Sequence, residues 1–392
     1  LSDSIASRCP PLNESQFRSF FDAAGRLVAE HDFKRTVFRG GCENSIRNEV
    51  WPYLFSFYPS SSTSLEKNEI FRNKVAHYSA VKNRWLNFLA ENYTEFDINQ
   101  ADNCIIENKP AYDSFVNTSS RISNGIVHPN IKDRDCIEAE IVARRLEVKG
   151  ENLVESLRYI AKDVPRTDRS HNYFTNSAHV LELRDALLTF CVLNPEIGYV
   201  QGMNDLMARF LIVLQSELLM LLDEINQNMK VDLHITGLMA SLLKRLDVQL
   251  HKFLSGHKLD DLFFCQKWLL LCFQREFHFE DGLRLLEILS TRQIGSNSPL
   301  GLKIIDDCRK ERQDLDVGVQ CEMTYHEYTF DLFIAVSILT LSRSEILKPD
   351  YDDSDVLQAI LRSPSALRLD DVLKEAETLF YLYCRDSVLY SF

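Results

Sequence analysis

The sequence predicts an all-α fold. Three observations carry that expectation: apolar residues recur at spacings of three and four along most of the 392 residues, strand signals are rare, and no helix-length unit returns at a fixed period. The last of these argues against a regular solenoid. With 45% hydrophobic residues the chain is long enough for one large or two ordinary domains, each with its own core.

Taken in order, the helical stretches are "NKVAHYSAVKNRWLNFLAENY", "SAHVLELRDALLTFCVL", "GLMASLLKRLDVQLHKFL", "DLFFCQKWLLLCFQREF" and "RLDDVLKEAETLFYLYC". In the second, Val180, Leu183, Leu187 and Phe190 fall on one stripe. The longest apolar run, "DLMARFLIVLQSELLMLLDEI", is broken by Arg209, Glu217 and Asp223, which reads as a buried core helix rather than a membrane span. Two stretches break the periodicity. Asp97 to Asp135 is rich in Asn, Asp, Ser and Pro, and Thr291 to Tyr325 carries "GSNSP" and "DDCRKERQD"; both read as long connections.

A formal charge of −13 argues against a surface that neutralises nucleic-acid phosphates or rests on an anionic membrane, and points to protein partners. The N-terminus shows no basic region followed by an apolar run, so neither a signal peptide nor an anchor is expected and the chain is assigned to the cytosol. None of the ten cysteines forms a C-x-x-C pair, and Cys265 and Cys272 lie seven apart on one apolar helical face, the pattern of buried reduced thiols. In that compartment the N-x-S/T triplets at Asn13, Asn92 and Asn117 carry no glycans. No metal site is expected, and the common nucleotide, hydrolase and zinc signatures are absent.

Three short stretches invite chemistry. In "RYIAKDVPRTDR", Pro165 disfavours helical geometry at Val164, so the helix through Ile160 should end near Asp163 and leave Arg166 on the following turn. There it either projects its planar fork outward, suited to phosphate oxygens, or is an ordinary surface arginine paired with Asp163 or Asp168. In "NPEIGYVQGMNDLMARF", Gln201 falls just before a helix N-terminus, a setting that favours negative charge; the plainer reading is that Gln201 caps the helix and Tyr199 packs in the core. In "RGGCENSIRNEVWPYLF", Trp51 reads as core, and Arg47 as a surface charge or a support for the site.

In this order the three stretches resemble the TBC domain of GTPase-activating proteins for Rab GTPases. The family's I-x-x-D-x-x-R is matched by Ile160, Asp163 and Arg166, and its Y-x-Q by Tyr199 and Gln201; similar landmarks run from about Val37 to Ser387. The resemblance implies two packed helical subdomains, about 37–220 with both motifs and about 221–387, after a flanking segment 1–36 and before a tail 388–392. It implies that Arg166 is an arginine finger and Gln201 a glutamine finger acting on a GTP-bound Rab, which carries the GTP and Mg2+, so that the chain needs no cofactor of its own. Asp163 would then hold Arg166 aimed, and Thr167, Asp168 and Arg169 would support it or touch the Rab. Gly202 would let the partner approach, and Tyr199 would pack beneath Gln201. A vesicle-trafficking role follows from the same resemblance, with peripheral recruitment to endomembranes and no insertion. Within the family the chain resembles the group whose arginine motif reads "DV.RTDR", some of whose members act on late-endosomal Rabs.

The chain also departs from the family. After Glu217 it runs about ten residues short, Thr291 to Tyr325 looks inserted, and the aromatic residue expected near Glu287 is replaced by small or aliphatic ones. A catalytically silent Rab-binding scaffold is the alternative these departures leave open, and a helical adaptor unrelated to GTPases is a third. The pairing of both finger residues favours the activator.

Overall fold

A computed structural model describes residues 8–92, 133–169, 171–214, 235–295 and 328–389, with scattered positions between 298 and 310. Among the described residues the regular structure is helical, and no strand occurs, only isolated bridges such as Leu12 with Cys42. The chain divides into two compact units. One comprises residues 1–18, 29–46 and 230–392, the other 19–28 and 47–229. This division differs from the expected one, since the first 46 residues contribute to both units instead of flanking them. The segment is packed and does not merely flank: Leu12, Phe17 and Phe33 are buried residues of one unit and Leu27 is a buried residue of the other.

The second unit contains α3 (Arg47–Leu54), α4 (Ser64–Asn92), α5 (Asp133–Arg145), α6 (Gly150–Asp163), α7 (Ser177–Leu193) and α8 (Met203–Leu214), following α1 (Glu14–Ser19) and α2 (Glu30–Gly40) in the chain. Helix α4 opens on a reciprocal cap. The Thr63 backbone N–H donates to Glu66 Oε2 at 2.7 Å and the Glu66 N–H to Thr63 Oγ1 at 3.3 Å. Helix α7 starts where Asn176 accepts from the Ala178 N–H at 3.0 Å, and from Asp185 to Val192 every residue is buried. A helix apolar all round belongs at the centre of a core, and α7 packs against α4, α6 and α8. Trp51 on α3 is fully buried against Phe210 of α8, rings 5.1 Å apart and edge to face.

The first unit adds α9 (Ile235–Leu246), α10 (Val248–Gly256), α11 (Gln266–Leu270), α12 (Phe279–Ser290), α13 (Phe330–Leu341), α14 (Arg343–Ile346), α15 (Asp353–Ala366) and α16 (Leu369–Leu389). Its centre is α13, buried from Leu332 to Leu339 and packed on α16. Two expected helices come out differently. "GLMASLLKRLDVQLHKFL" breaks at Asp247, whose carboxylate accepts from the Leu250 N–H at 2.9 Å and so starts α10. "DLFFCQKWLLLCFQREF" is α-helical only over Gln266–Leu270, and Cys272 and Phe273 take left-handed φ values of 47° and 59°. The turn places both Leu271 and Phe273 in the core, which a helix with one apolar stripe would not do. Gln274 Nε2 donates to the freed Cys272 carbonyl at 3.0 Å. Cys265 and Cys272 therefore do not share a helical face, and every described cysteine is a free thiol.

The expected connection before α5, the shortened segment after Glu217 and most of the stretch from Thr291 to Tyr325 lie outside the described residues. Near the expected aromatic position, Glu287 is itself fully buried, and its Oε2 accepts from the Cys42 N–H at 3.0 Å. Among the described residues no helix is long and apolar enough to cross a membrane.

Candidate functional site

Helix α6 ends at Asp163, as Pro165 requires, and the chain passes into a 3-10 turn, Val164–Arg166. Ile160, one turn earlier, is fully buried and anchors this end of the helix. Arg166 sits at the turn's end with 66% of its side chain exposed. Two hydrogen bonds hold it: Nε donates to the Lys162 carbonyl at 2.8 Å and Nη2 to Asp163 Oδ1 at 3.0 Å. The guanidinium is thus tied to the chain along one edge and exposed elsewhere. Lys162 and Arg169 beside it are also exposed, so the site presents positive charge on an acidic chain.

The second motif reaches the same carboxylate. Tyr199 Oη donates to Asp163 Oδ2 at 2.8 Å and lies 3.0 Å from Asn204 Oδ1. Burial, and then Asp163 beside it, push the Tyr199 phenol well above its ordinary range, so it stays a donor at any physiological pH. Gln201, two residues on, is exposed on the turn before α8, and its side chain makes no hydrogen bond among the described residues. Gly202 is buried with φ 104°, a conformation glycine supplies without strain, so backbone geometry is what the structure shows it providing.

Beneath the surface, α8 holds the Arg166 segment. Asn204 Nδ2 donates to Thr167 Oγ1 at 2.8 Å, and Thr167 Oγ1 donates to the Asp163 carbonyl at 3.0 Å. Arg209 Nη1 donates to Asp168 Oδ2 at 2.8 Å. Burial pushes the Arg209 guanidinium below its ordinary range, and Asp168 and Asp205 oppose that shift. Arg169 Nε donates back to the Pro165 carbonyl at 2.6 Å.

The structure therefore brings Asp163, Arg166, Thr167, Asp168, Arg169 and Tyr199 together, with Gln201 and Gly202 adjoining. It places Arg47 differently from a surface charge: the residue is buried at the start of α3. Thr167 is likewise buried, so it supports the turn from within and is not a surface contact. Asn204 and Arg209 escape sequence reasoning. A lone arginine inside the apolar run "DLMARFLIVL" was the available signal for a buried partner; Asn204 offered none.

Comparison with known proteins bears on this geometry. Residues 130–311, which include both motifs, match the Rab-GTPase-TBC domain. Mouse (Mus musculus) TBC1 domain family member 25 is 27% identical over 292 residues, covering 71% of this chain and 31% of that protein. Human (Homo sapiens) TBC1 domain family member 17 is 26% identical over 387 residues, 95% of this chain and 46% of that protein. GTPase-activating protein gyp7 of Schizosaccharomyces pombe is 25% identical over 407 residues, 96% of this chain and 42% of that protein. The chain thus spans 31% to 46% of the length of these relatives. Among solved structures, the Ypt/Rab-GAP domain of Gyp1p superimposes with a TM-score of 0.59 at 13% identity, covering 94% of this chain and 98% of that one, which shows a shared fold. With its all-α architecture and both motifs inside the matched residues 130–311, the chain is similar to the TBC domain of Rab GTPase-activating proteins and shares its fold.

Proposed function

We propose that this chain accelerates GTP hydrolysis on a Rab GTPase, with Arg166 and Gln201 as its two fingers. The observation that carries the reading is the tethered exposure of Arg166, whose guanidinium is held along its Nε and Nη2 edge by the Lys162 carbonyl and Asp163 while two thirds of the side chain stays exposed. Relatives named as GTPase-activating proteins support it. In this reading Arg166 enters the nucleotide site of a GTP-bound Rab and offsets charge developing on the transferring phosphoryl. Gln201, at a helix N-terminus that favours negative charge, orients the attacking water. The GTP and Mg2+ belong to the Rab, and this chain supplies positioning and electrostatics only. Recruitment to an endomembrane as a peripheral protein, and a role in vesicle traffic, follow from such a partner.

The test is single-turnover GTP hydrolysis by a panel of purified GTP-loaded Rabs with and without this chain. Stimulation of at least one member by about 10³-fold or more is expected for an arginine supplied in trans. Binding to a Rab without stimulation of any would instead establish the scaffold.

A further inference from the structure

The pair of Arg166 and Asp163 does not by itself aim the finger. An arginine with two thirds of its side chain in water gains little from one carboxylate, because solvent screens the contact and the long side chain keeps its rotamers. The direction of Arg166 must therefore come in part from the backbone that carries it, beside what Asp163 contributes at the side chain. That backbone is fixed on the near side by α6 and on the far side by Thr167 and Asp168, and both of the latter are held from α8.

Asp168 is the unusual member. Its φ of 39° lies in the left-handed region, where a side chain is tolerated only when its surroundings fix it. The turn closes through the His171 N–H donating to the Asp168 carbonyl at 2.8 Å. The Asp168 carboxylate, 24% exposed, meets Arg209, whose side chain is only 9% exposed. A guanidinium so enclosed is set by its packing and does not follow the turn; the turn is set by it. Arg209 lies six residues beyond Met203, the first residue of the same helix whose N-terminal approach carries Gln201.

We propose that Arg209 is a positioning residue: through Asp168 it locks the left-handed turn after Arg166, so that one rigid helix, α8, sets the placement of both finger segments. Asn204 reinforces the lock through Thr167. This rests on the reading of Arg166 as a finger, but the lock itself is a property of the free chain.

Two readouts separate these levels. In the free, full chain, backbone hydrogen exchange over residues 164–175 is compared between wild type, Arg209→Met and Asp168→Asn. Both variants are expected to raise exchange in this stretch while α6 and α7 keep their protection. In parallel, single-turnover hydrolysis with a GTP-loaded Rab at several concentrations of each variant separates kcat from KM. A displaced arginine is expected to lower kcat about 10- to 100-fold and leave KM within about threefold. Arg209→Lys should recover part of the loss, and the double variant should be no worse than either single one, because both remove one interaction. Unchanged exchange in folded Arg209→Met or Asp168→Asn would overturn the lock, as would additive losses. If Arg209→Met does not fold, Asp168→Asn, isosteric and partly exposed, carries the same comparison. If the wild-type chain stimulates no Rab, the function fails separately, and the exchange data alone decide the lock.

Discussion

Asp163 divides its carboxylate between the two motifs, accepting from Arg166 with Oδ1 at 3.0 Å and from Tyr199 with Oδ2 at 2.8 Å. Tyr199, 36 residues from Asp163 in sequence, is thereby joined to Arg166 through a single group. Asp163→Asn tests the consequence. An amide presents one acceptor oxygen and one donor NH2, so it cannot receive both hydrogen bonds as the carboxylate does: with its oxygen toward Arg166 the Tyr199 hydroxyl must redirect its proton to Asn204, and with its oxygen toward Tyr199 the amide repels Arg166. Stimulation of the Rab should fall about 10- to 100-fold while Rab binding changes little. Thermal unfolding should shift only slightly, because the partner arginine is exposed. Equal activity in the variant would show that the shared carboxylate does not aim the finger.

Arg166→Lys keeps the charge and removes the planar fork. The residue is exposed, so stability should stay within about 0.5 kcal/mol of wild type. Stimulation should drop about 10³-fold or more, since a point charge cannot span two phosphoryl oxygens. Circular-dichroism melting and single-turnover hydrolysis on the same preparation read the two effects apart. A large loss of stability would return Arg166 to the role of a structural surface arginine.

Much of the local geometry of the site was legible in the sequence. Pro165 marks the end of α6, and the Asn–Pro and Gly residues mark the turn ahead of α8, because these residues act on the backbone directly around them. The supports were not legible, since they are pairings across distance: Arg209 reaches Asp168 across 41 residues and Asn204 reaches Thr167 across 37. Arg47 stayed undecided between a surface charge and a support for the same reason, as a charge buried by tertiary packing reads like any other charge on a helix. Cys272 and Phe273 misled for another, because the unbroken apolar run "WLLLCF" has no stripe of its own from which to see that the helix stops.

The core of the same unit offers a control remote from catalysis. Trp85 Nε1 donates to Thr189 Oγ1 at 3.0 Å, and Thr189 Oγ1 donates to the Asp185 carbonyl at 2.7 Å, with Trp85 and Thr189 both fully buried. Thr189→Val matches the shape and strands the indole N–H without an acceptor. The expected cost is about 1–3 kcal/mol by denaturant unfolding, and Trp85→Phe in the same background should recover part of it. No loss in Thr189→Val would mean that the indole finds another acceptor.

In the other unit, Glu377 is almost fully buried beside Arg8, and burial pushes its carboxyl up to about 7 even with that arginine against it. The folded pKa therefore lies above the unfolded value near 4.5. Between these two values the native state holds a proton that the unfolded state has released, so this group's stabilising contribution is complete below about 4.5 and is lost as pH rises to about 7. The slope from this one residue is on the order of 1 kcal/mol per pH unit. Glu377→Gln removes it. The stability of the variant relative to wild type should rise from pH 5 to pH 7, measured by urea unfolding at each pH; a constant difference would show that Arg8 keeps the carboxylate ionised throughout.

The last prediction concerns which protein supplies the glutamine. In Ras-type systems the GTPase's own glutamine orients the attacking water, and its activator contributes an arginine. Gln201 is exposed beside the tethered Arg166 segment, on the turn that leads into α8, and its side chain is uncommitted among the described residues. If it takes over the orienting role, a Rab whose own switch glutamine is replaced by leucine should still be stimulated to within about tenfold of the wild-type pair. Gln201→Ala should bind wild-type Rab normally and stimulate it poorly, because the missing group acts on the water in the transition state and not on the bound ground state. Single-turnover hydrolysis with all four combinations of partners decides the matter. Full activity of Gln201→Ala on wild-type Rab, with none for the wild-type chain on the glutamine-less Rab, would leave Arg166 as the sole finger. The reverse pattern assigns the water to Gln201, since the only glutamine then available at the nucleotide is the one this chain brings.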